Sequence, residues 1–140
     1  MKQIPVIFWT GTGNTQMMAD AIAEAINAAG AEAVVKNVSE ITADEAAGYD
    51  ALALGCPAMG AEVLEECEFE PFFTELEGKL SGKKVALFGS YGWGGSYMQD
   101  WEARVKDAGA ELVAAGVLAL GAPDEEAEAK LAEAGKLLAE

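Results

Sequence analysis

The sequence contains no histidine and only two cysteines. The absence of histidine excludes His-containing catalytic triads, histidine metal sites and histidine proton shuttles. Cys56 and Cys67 form no CxxC motif and have no zinc or iron–sulfur spacing, so both are expected to be plain thiols. Any redox chemistry is therefore expected to belong to a bound cofactor rather than to side chains of the protein.

Basic residues are also scarce. Nine Lys and Arg stand against 24 Asp and Glu, which gives a formal net charge of −15. Such a surface repels nucleic-acid phosphates and anionic membranes, so neither is an expected partner. It suits a partner with a basic docking face, although carboxylates at this density also serve solubility alone.

Long apolar runs are missing too, and no stretch has the length of a membrane span. The first residues show neither the apolar region nor the cleavage site of a signal peptide, so a cytoplasmic location is expected. With 140 residues, of which 51% are hydrophobic, the chain is expected to form a single domain over residues 1–140.

Strand-like and helix-like segments alternate along the chain, which predicts an α/β fold with a parallel sheet. Helix 14–29 carries Met17, Ala21, Ile22, Ala25 and Ile26 at helical spacing. Five strands of this size predict a doubly wound sheet of order 2-1-3-4-5, with helices on both faces and a ligand site where the order reverses. The predicted strands are residues 4–9, 33–38, 50–56, 85–89 and 112–120, the last interrupted at position 116, and the other helices are 69–80, 96–108 and 124–139.

The most informative stretch is residues 6–15, in which an apolar strand runs into a loop and a helix follows. Unpaired N–H groups and the helix dipole favour an anion at such a helix start, and glycines let the backbone approach it. This pattern predicts a phosphate-monoester site, although a turn that merely caps a helix has the same composition. The expected ligands are Thr10, Gly11, Thr12, Gly13, Asn14 and Thr15.

This loop contains no cation, because no Lys or Arg lies between Lys2 and Lys36. A Walker loop requires a lysine near its end, and a dinucleotide fingerprint requires glycine where Gln16 stands. Nucleoside triphosphates and NAD are therefore disfavoured. A receiver domain of the same topology is also a weak alternative, because strand one ends without a carboxylate.

Two further loops follow strands three and four: GCPAMGAE at residues 55–62 and GSYGWG at residues 89–94. Met59 and Trp93 suit contact with a planar ring, since sulfur and aromatic groups pack favourably on such rings. Core packing is the alternative for both, and it is weaker for Trp93, which lies between two glycines.

These three loops, in this order and spacing, resemble the flavodoxin family over the whole chain. The resemblance implies noncovalently bound FMN and a low-potential one-electron carrier that shuttles between semiquinone and hydroquinone. Such a carrier is not an enzyme and has no substrate of its own. Its implied partners are redox proteins with basic docking faces, such as reductases and oxidoreductases, and it is expected to be a monomer.

The resemblance also implies roles in holding the flavin ring. Met59 and Trp93 would cover its two faces, Glu62 would accept a hydrogen bond from the pyrimidine N3–H, and the Gly60 peptide would flip toward N5 on reduction. The neighbouring acids Glu65, Glu66, Glu68 and Glu70 are predicted to be solvated charges. The ring and ribityl contacts are expected from Pro57, Ala58, Met59, Gly60, Glu62, Ser90, Tyr91, Gly92 and Trp93.

Two other functions share these features. An FMN-dependent quinone or disulfide reductase of the same fold would require a second binding surface, and no insertion in the sequence provides one. A phosphate-binding module without redox activity would share only the first loop, so visible flavin absorbance would distinguish it.

Overall fold

The computed structural model describes residues 2–11, 13–57, 67–91 and 96–140. In these ranges the chain forms a parallel sheet covered by helices. The strands are β1 (Gln3–Phe8), β2 (Glu32–Asn37), β3 (Ala51–Gly55), β4 (Lys84–Tyr91), β5 (Glu111–Leu112) and β6 (Val117–Leu120). The helices are α1 (Asn14–Ala28), α2 (Ala43–Ala46), α3 (Phe69–Glu77), α4 (Ser96–Asp107) and α5 (Glu125–Ala139), with a 3-10 turn at Val38–Glu40.

The sheet has the order β2-β1-β3-β4-β5, and β6 also pairs with β4. Every pair is parallel, and Phe8 of β1 stands in register with Gly55 of β3, which stands in register with Phe88 of β4. The predicted order 2-1-3-4-5 is therefore confirmed. The chain adds β2 on one side of β1 and β3 on the other side, so the strand order reverses between β1 and β3. The carboxyl ends of these two strands therefore mark the expected ligand site.

The fifth position of the sheet differs from the single strand that the sequence predicts. It is divided into β5 and β6, which both pair with β4. The interruption falls near Gly116, as predicted: its N–H donates to Glu102 Oε2 of α4 at 2.7 Å instead of joining the strand ladder. A Cβ on this residue would also overlap the Met98 side chain, so the chain bends here around α4.

The two faces of the sheet are packed differently. On β3, Ala51 and Ala53 face the core shared with α1 and α5, whereas Leu52 and Leu54 face the core shared with α3 and α4. All four are fully buried, as expected for a strand covered on both sides. The small residues let α1 and α5 approach the sheet closely, and the larger residues fill the space beneath the aromatic side chains of α3 and α4.

The buried side of α1 agrees with the predicted helical spacing at Ile22 and Ile26 and differs from it at Met17. Met18 is fully buried, whereas the predicted Met17 is exposed. The buried stripe also includes Thr15, Ala19, Ile22 and Ile26. Thr15 therefore lies on the side of α1 that faces the sheet. In α5, Ala127, Leu131, Ala134 and Leu138 are buried and Asp124 caps the helix.

In the described part of the chain, no helix has the length and apolarity required to span a bilayer. The same residues contain no group of three or more His, Cys, Asp or Glu side chains that could hold a metal ion.

Candidate ligand site at the carboxyl edge of the sheet

Three neighbouring strands end together at one edge of the sheet. The Trp9 N–H donates to Gly55 O at 3.0 Å, which extends the pairing of β1 with β3 beyond the end of β1. The Cys56 N–H donates to Phe88 O at 3.1 Å and extends the pairing of β3 with β4 in the same way. The three loops singled out in the sequence therefore leave the sheet from adjacent positions.

The start of α1 lies directly after this edge. Gly13 occupies the N-cap position with φ +93°, a left-handed conformation that glycine adopts without steric cost. Its N–H donates to Thr10 Oγ1 at 2.9 Å, which holds the loop closed before the helix begins. The first helical hydrogen bond runs from Met17 N–H to Gly13 O, so the intervening N–H groups have no helical acceptor.

The charge around this helix start is also suited to an anion. The first turn of α1 contains no acidic residue, whereas the first turn of α5 contains Glu125, Glu126 and Glu128. Carboxylates near a helix N-terminus neutralise its partial positive charge. In α1 no side chain of the first turn neutralises this charge, and no charged residue occurs in the sequence from Thr10 to Met17.

One side-chain hydrogen bond joins the α1 start to β4. Thr15 Oγ1 and Ser90 Oγ lie 3.2 Å apart, and both residues are buried, with relative exposures of 1% and 6%. Thr15 lies in the first turn of α1 and Ser90 is the penultimate residue of β4. This hydrogen bond thus joins the start of α1 to β4, the strand that precedes the third loop.

A second buried hydroxyl fixes the end of β3. Tyr97 Oη donates to Cys56 O at 2.8 Å, and burial raises the pKa of this phenol, so it acts as a neutral donor. A Cβ on Gly89 would overlap both Tyr97 Oη and Cys56 O, so this strand position requires glycine. The sequence patterns did not identify this contact, because nothing in the local spacing links Tyr97 to the strand end.

The prediction that Glu70 is a solvated charge is wrong. Both of its oxygens accept from Arg104 of α4, at 2.8 and 3.0 Å, and the same guanidinium binds Glu77 at 3.0 and 3.1 Å. The hydrogen bonds from Arg104 lower the pKa of Glu70. Arg104 also lies 4.7 Å from the centre of the Phe73 ring. Glu70 therefore joins α3 to α4.

The structure brings together the predicted site residues that it describes. These are Thr10, Gly11, Gly13, Asn14, Thr15, Pro57, Ser90 and Tyr91, all at the ends of β1, β3 and β4 or at the start of α1. The others lie outside the described residues, and their roles stay predictions: Thr12, Ala58, Met59, Gly60, Glu62, Gly92 and Trp93.

Comparison with known proteins identifies the family. The flavodoxin family model matches residues 6–135. The chain is 50% identical over 135 residues to a flavodoxin of Clostridium beijerinckii, covering 96% of this chain and 97% of that protein. It is 47% identical over 116 residues to a flavodoxin of Megasphaera elsdenii, covering 82% of this chain and 85% of that protein.

The fold agrees with these matches. The solution structure of two-electron reduced Megasphaera elsdenii flavodoxin superposes with a TM-score of 0.89 and 44% identity, covering 97% of this chain and 98% of that one. The sequence match to the Clostridium protein and the structural match to the Megasphaera protein thus each extend over almost the whole length of the two chains compared. The chain belongs to the flavodoxin family, whose members bind FMN and transfer electrons rather than catalyse reactions of a substrate of their own.

Proposed function

We propose that this chain is a low-potential one-electron carrier that shuttles noncovalently bound FMN between semiquinone and hydroquinone. The observation that carries the proposal is the start of α1, which presents neutral donors beside the ends of β3 and β4. Bound FMN supplies the redox chemistry. The residues of the chain bind it, orient it and determine which partner proteins approach it.

The phosphate end of FMN would be held by Thr10, Gly11, Thr12, Gly13, Asn14 and Thr15. The described members of this set suit a phosphate monoester, because backbone amides and hydroxyls meet at a helix N-terminus without a competing carboxylate. Thr10 illustrates the fit. Its oxygen accepts from Gly13, which leaves its hydroxyl proton for a second partner.

The ring end would be held by the loops that follow β3 and β4. Pro57 begins the first of these loops and Tyr91 ends β4, immediately before the second. Both depart beside the α1 start, which supports one ligand contacting all three loops. The proposed contacts are Pro57, Ala58, Met59, Gly60, Glu62, Ser90, Tyr91, Gly92 and Trp93.

An electron carrier without a substrate of its own requires other redox proteins as its donor and acceptor. For this chain we propose partners with basic docking faces and a cytoplasmic, monomeric, single-domain carrier. The net charge of −15 and the exposed acids at the start of α5 support this docking mode. Lys83 and Lys84 lie at the opposite end of the sheet, at the start of β4, so they do not oppose a basic partner at the ligand edge.

The phosphate assignment is tested with Asn14→Ala and two ligands. We expect FMN to bind about ten- to a hundredfold more weakly, because one charge-assisted hydrogen bond is worth roughly 1.5–3 kcal/mol. Riboflavin, which lacks the phosphate, should lose little affinity. Quenching of flavin fluorescence during titration of the apoprotein measures both constants.

Gln16→Ala is the matched control, since Gln16 is exposed on the same turn of α1 but was not predicted to bind. It should leave both affinities near the wild-type values. Equal losses of FMN and riboflavin in Asn14→Ala would refute the phosphate site. Anaerobic stepwise reduction with visible spectra then tests whether the reduction proceeds in one-electron stages.

A further inference from the structure

The buried hydroxyl pair of Thr15 and Ser90 contains one more proton than its hydrogen bond uses. Two hydroxyl groups hold two protons, and a single bond of 3.2 Å between them consumes one. The other O–H must be donated elsewhere, because a buried donor without an acceptor costs about 1–3 kcal/mol. The direction of the hydrogen bond between the two hydroxyls therefore determines which of them has a proton left to donate to a ligand.

The usual acceptors of this proton lie outside α1. Threonine in a helix commonly donates to a carbonyl three or four residues earlier. For Thr15 these are residues 11 and 12, which precede the helix that begins at Asn14. A ligand at the N-terminal end of α1, where the helix dipole favours an anion, offers the Thr15 proton another acceptor.

We propose that Ser90 is a positioning residue for the phosphate site: its hydroxyl donates to Thr15 Oγ1, which directs the Thr15 proton toward the phosphate. This inference rests on the proposed FMN function and deepens it. A hydroxyl that accepts a hydrogen bond becomes a better donor, and low surrounding polarity strengthens both bonds. The Ser90 hydroxyl then acts on the phosphate through Thr15, in addition to the contact with the ring end of FMN proposed above.

The location of Ser90 supports this role. The residue stands on β4, where its backbone is paired with Ala119 of β6, so its position is fixed by the sheet. Thr15 stands on a helix that begins at a loop. A hydrogen bond from the sheet to Thr15 therefore holds the rotamer of the Thr15 side chain.

The test compares Thr15→Val, Ser90→Ala and the double variant by titration of each apoprotein with FMN and with riboflavin. The readout is the ratio of the FMN affinity to the riboflavin affinity. Both ligands bind the same apoprotein, so a loss of apoprotein stability lowers both affinities alike and leaves their ratio unchanged. We expect Thr15→Val to lower the FMN preference about ten- to a hundredfold and Ser90→Ala about three- to tenfold. In the Thr15→Val background, Ser90→Ala should have no further effect on the ratio.

Ser81→Ala is the matched control, since it makes the same chemical change at an exposed serine at the other end of β4. Phosphorus NMR of bound FMN gives a second readout: its resonance should move in Ser90→Ala and stay in place in Ser81→Ala. A larger loss in Ser90→Ala than in Thr15→Val would overturn the proposed direction, and an unchanged ratio in Ser90→Ala would overturn the proposal.

The same titrations separate this inference from the function on which it rests. If the wild-type protein binds FMN no better than riboflavin, the phosphate site itself is wrong. If it prefers FMN and Ser90→Ala retains that preference in full, only the positioning role of Ser90 fails.

Discussion

At the residue scale, the predicted phosphate loop at residues 10–15 contains hydroxyl and amide groups and no Lys or Arg. The sequence predicts the loop residues from local pattern alone, because glycine, threonine and asparagine at a strand-to-helix junction have a direct physical meaning. It did not predict that Thr15 would pair with Ser90, which is 75 residues away. Such a contact depends on which strands become neighbours and on the rotation of α1, and local spacing contains neither.

Tyr97→Phe should destabilise the end of β3. The variant leaves the buried Cys56 carbonyl without the 2.8 Å hydrogen bond from the phenol, at an expected cost of about 1–2 kcal/mol. Urea unfolding of the apoprotein measures this difference, with Tyr49→Phe on the half-buried Tyr49 as a control. Equal unfolding midpoints for wild type and Tyr97→Phe would contradict the bond.

The raised pKa of Tyr97 predicts a dependence of stability on alkaline pH. Because the folded protein binds this proton more tightly than the unfolded chain, its contribution is complete below pH 10.0, the ordinary value for tyrosine, and declines above it. The free energy of unfolding of wild type should therefore fall more steeply above pH 10 than that of Tyr97→Phe. Parallel pH profiles for the two proteins would show that burial of this phenol has no such effect.

At the element scale, α3 and α4 are joined by one arginine. Arg104 binds Glu70 and Glu77 together and lies against Phe73, so it spans the exposed side of the aromatic core formed with Trp101. A planar guanidinium can make this set of forked contacts, whereas an ammonium group cannot. The clamp therefore joins α4 to α3.

Arg104→Met should destabilise the protein by roughly 1–3 kcal/mol, since it removes two charge-assisted contacts and leaves two carboxylates facing each other. Arg104→Lys should recover part of this loss by restoring the charge without the fork. Thermal unfolding at low salt measures both. If Arg104→Lys were fully equivalent to wild type, the forked geometry would contribute nothing.

Acid should weaken the same clamp. The pKa of Glu70 is lowered in the folded protein, so its contribution is present above the ordinary value of 4.5 and is lost as the pH falls through the lowered value. Glu70→Gln should therefore be less stable than wild type at pH 7, and the difference should shrink below pH 4.5. Glu75→Gln, at an exposed position of α3, is the control and should show a smaller difference at pH 7.

Element boundaries illustrate what the sequence can and cannot give. The strands and helices were predicted to within a few residues, because buried parallel strands are nearly continuous apolar runs and glycines end the helices. On α1 the predicted apolar residues Ile22 and Ile26 are buried, but Met17 is exposed and Met18 is buried in its place, since alanines on both sides of the helix leave its apolar stripe broad. The interruption of the last strand was predicted from Gly116 itself, but the tertiary hydrogen bond from Gly116 to Glu102 is not encoded in any local pattern.

At the scale of the whole molecule, one exposed apolar residue at the carboxyl edge of the sheet precedes an acidic helix start. Leu120 ends β6 at the carboxyl edge of the sheet and is 67% exposed. The acidic first turn of α5 begins five residues later, with Glu125 and Glu126 exposed. An exposed leucine followed along the chain by exposed carboxylates would suit a partner that offers both an apolar contact and basic residues.

This arrangement predicts separate effects of salt and of Leu120 on electron transfer. With cytochrome c as a basic redox probe, the second-order rate of its reduction by the FMN-loaded, pre-reduced protein should fall as ionic strength rises, because screening shortens the reach of the acidic surface. Leu120→Ser should lower the rate by about three- to tenfold at every ionic strength, equivalent to ~0.7–1.4 kcal/mol of lost contact, without changing the salt dependence.

Val35→Ser provides the matched control for this last prediction, because Val35 is also an exposed apolar residue, at 40%, but lies within β2 at the edge of the sheet, before its carboxyl end. It should react at the wild-type rate. Both variants should retain FMN with wild-type affinity, so that a changed rate reports docking and not loss of the cofactor. If Leu120→Ser and Val35→Ser slowed the reaction equally, the partner would not be recognising this edge, and the acidic surface would act only through its net charge.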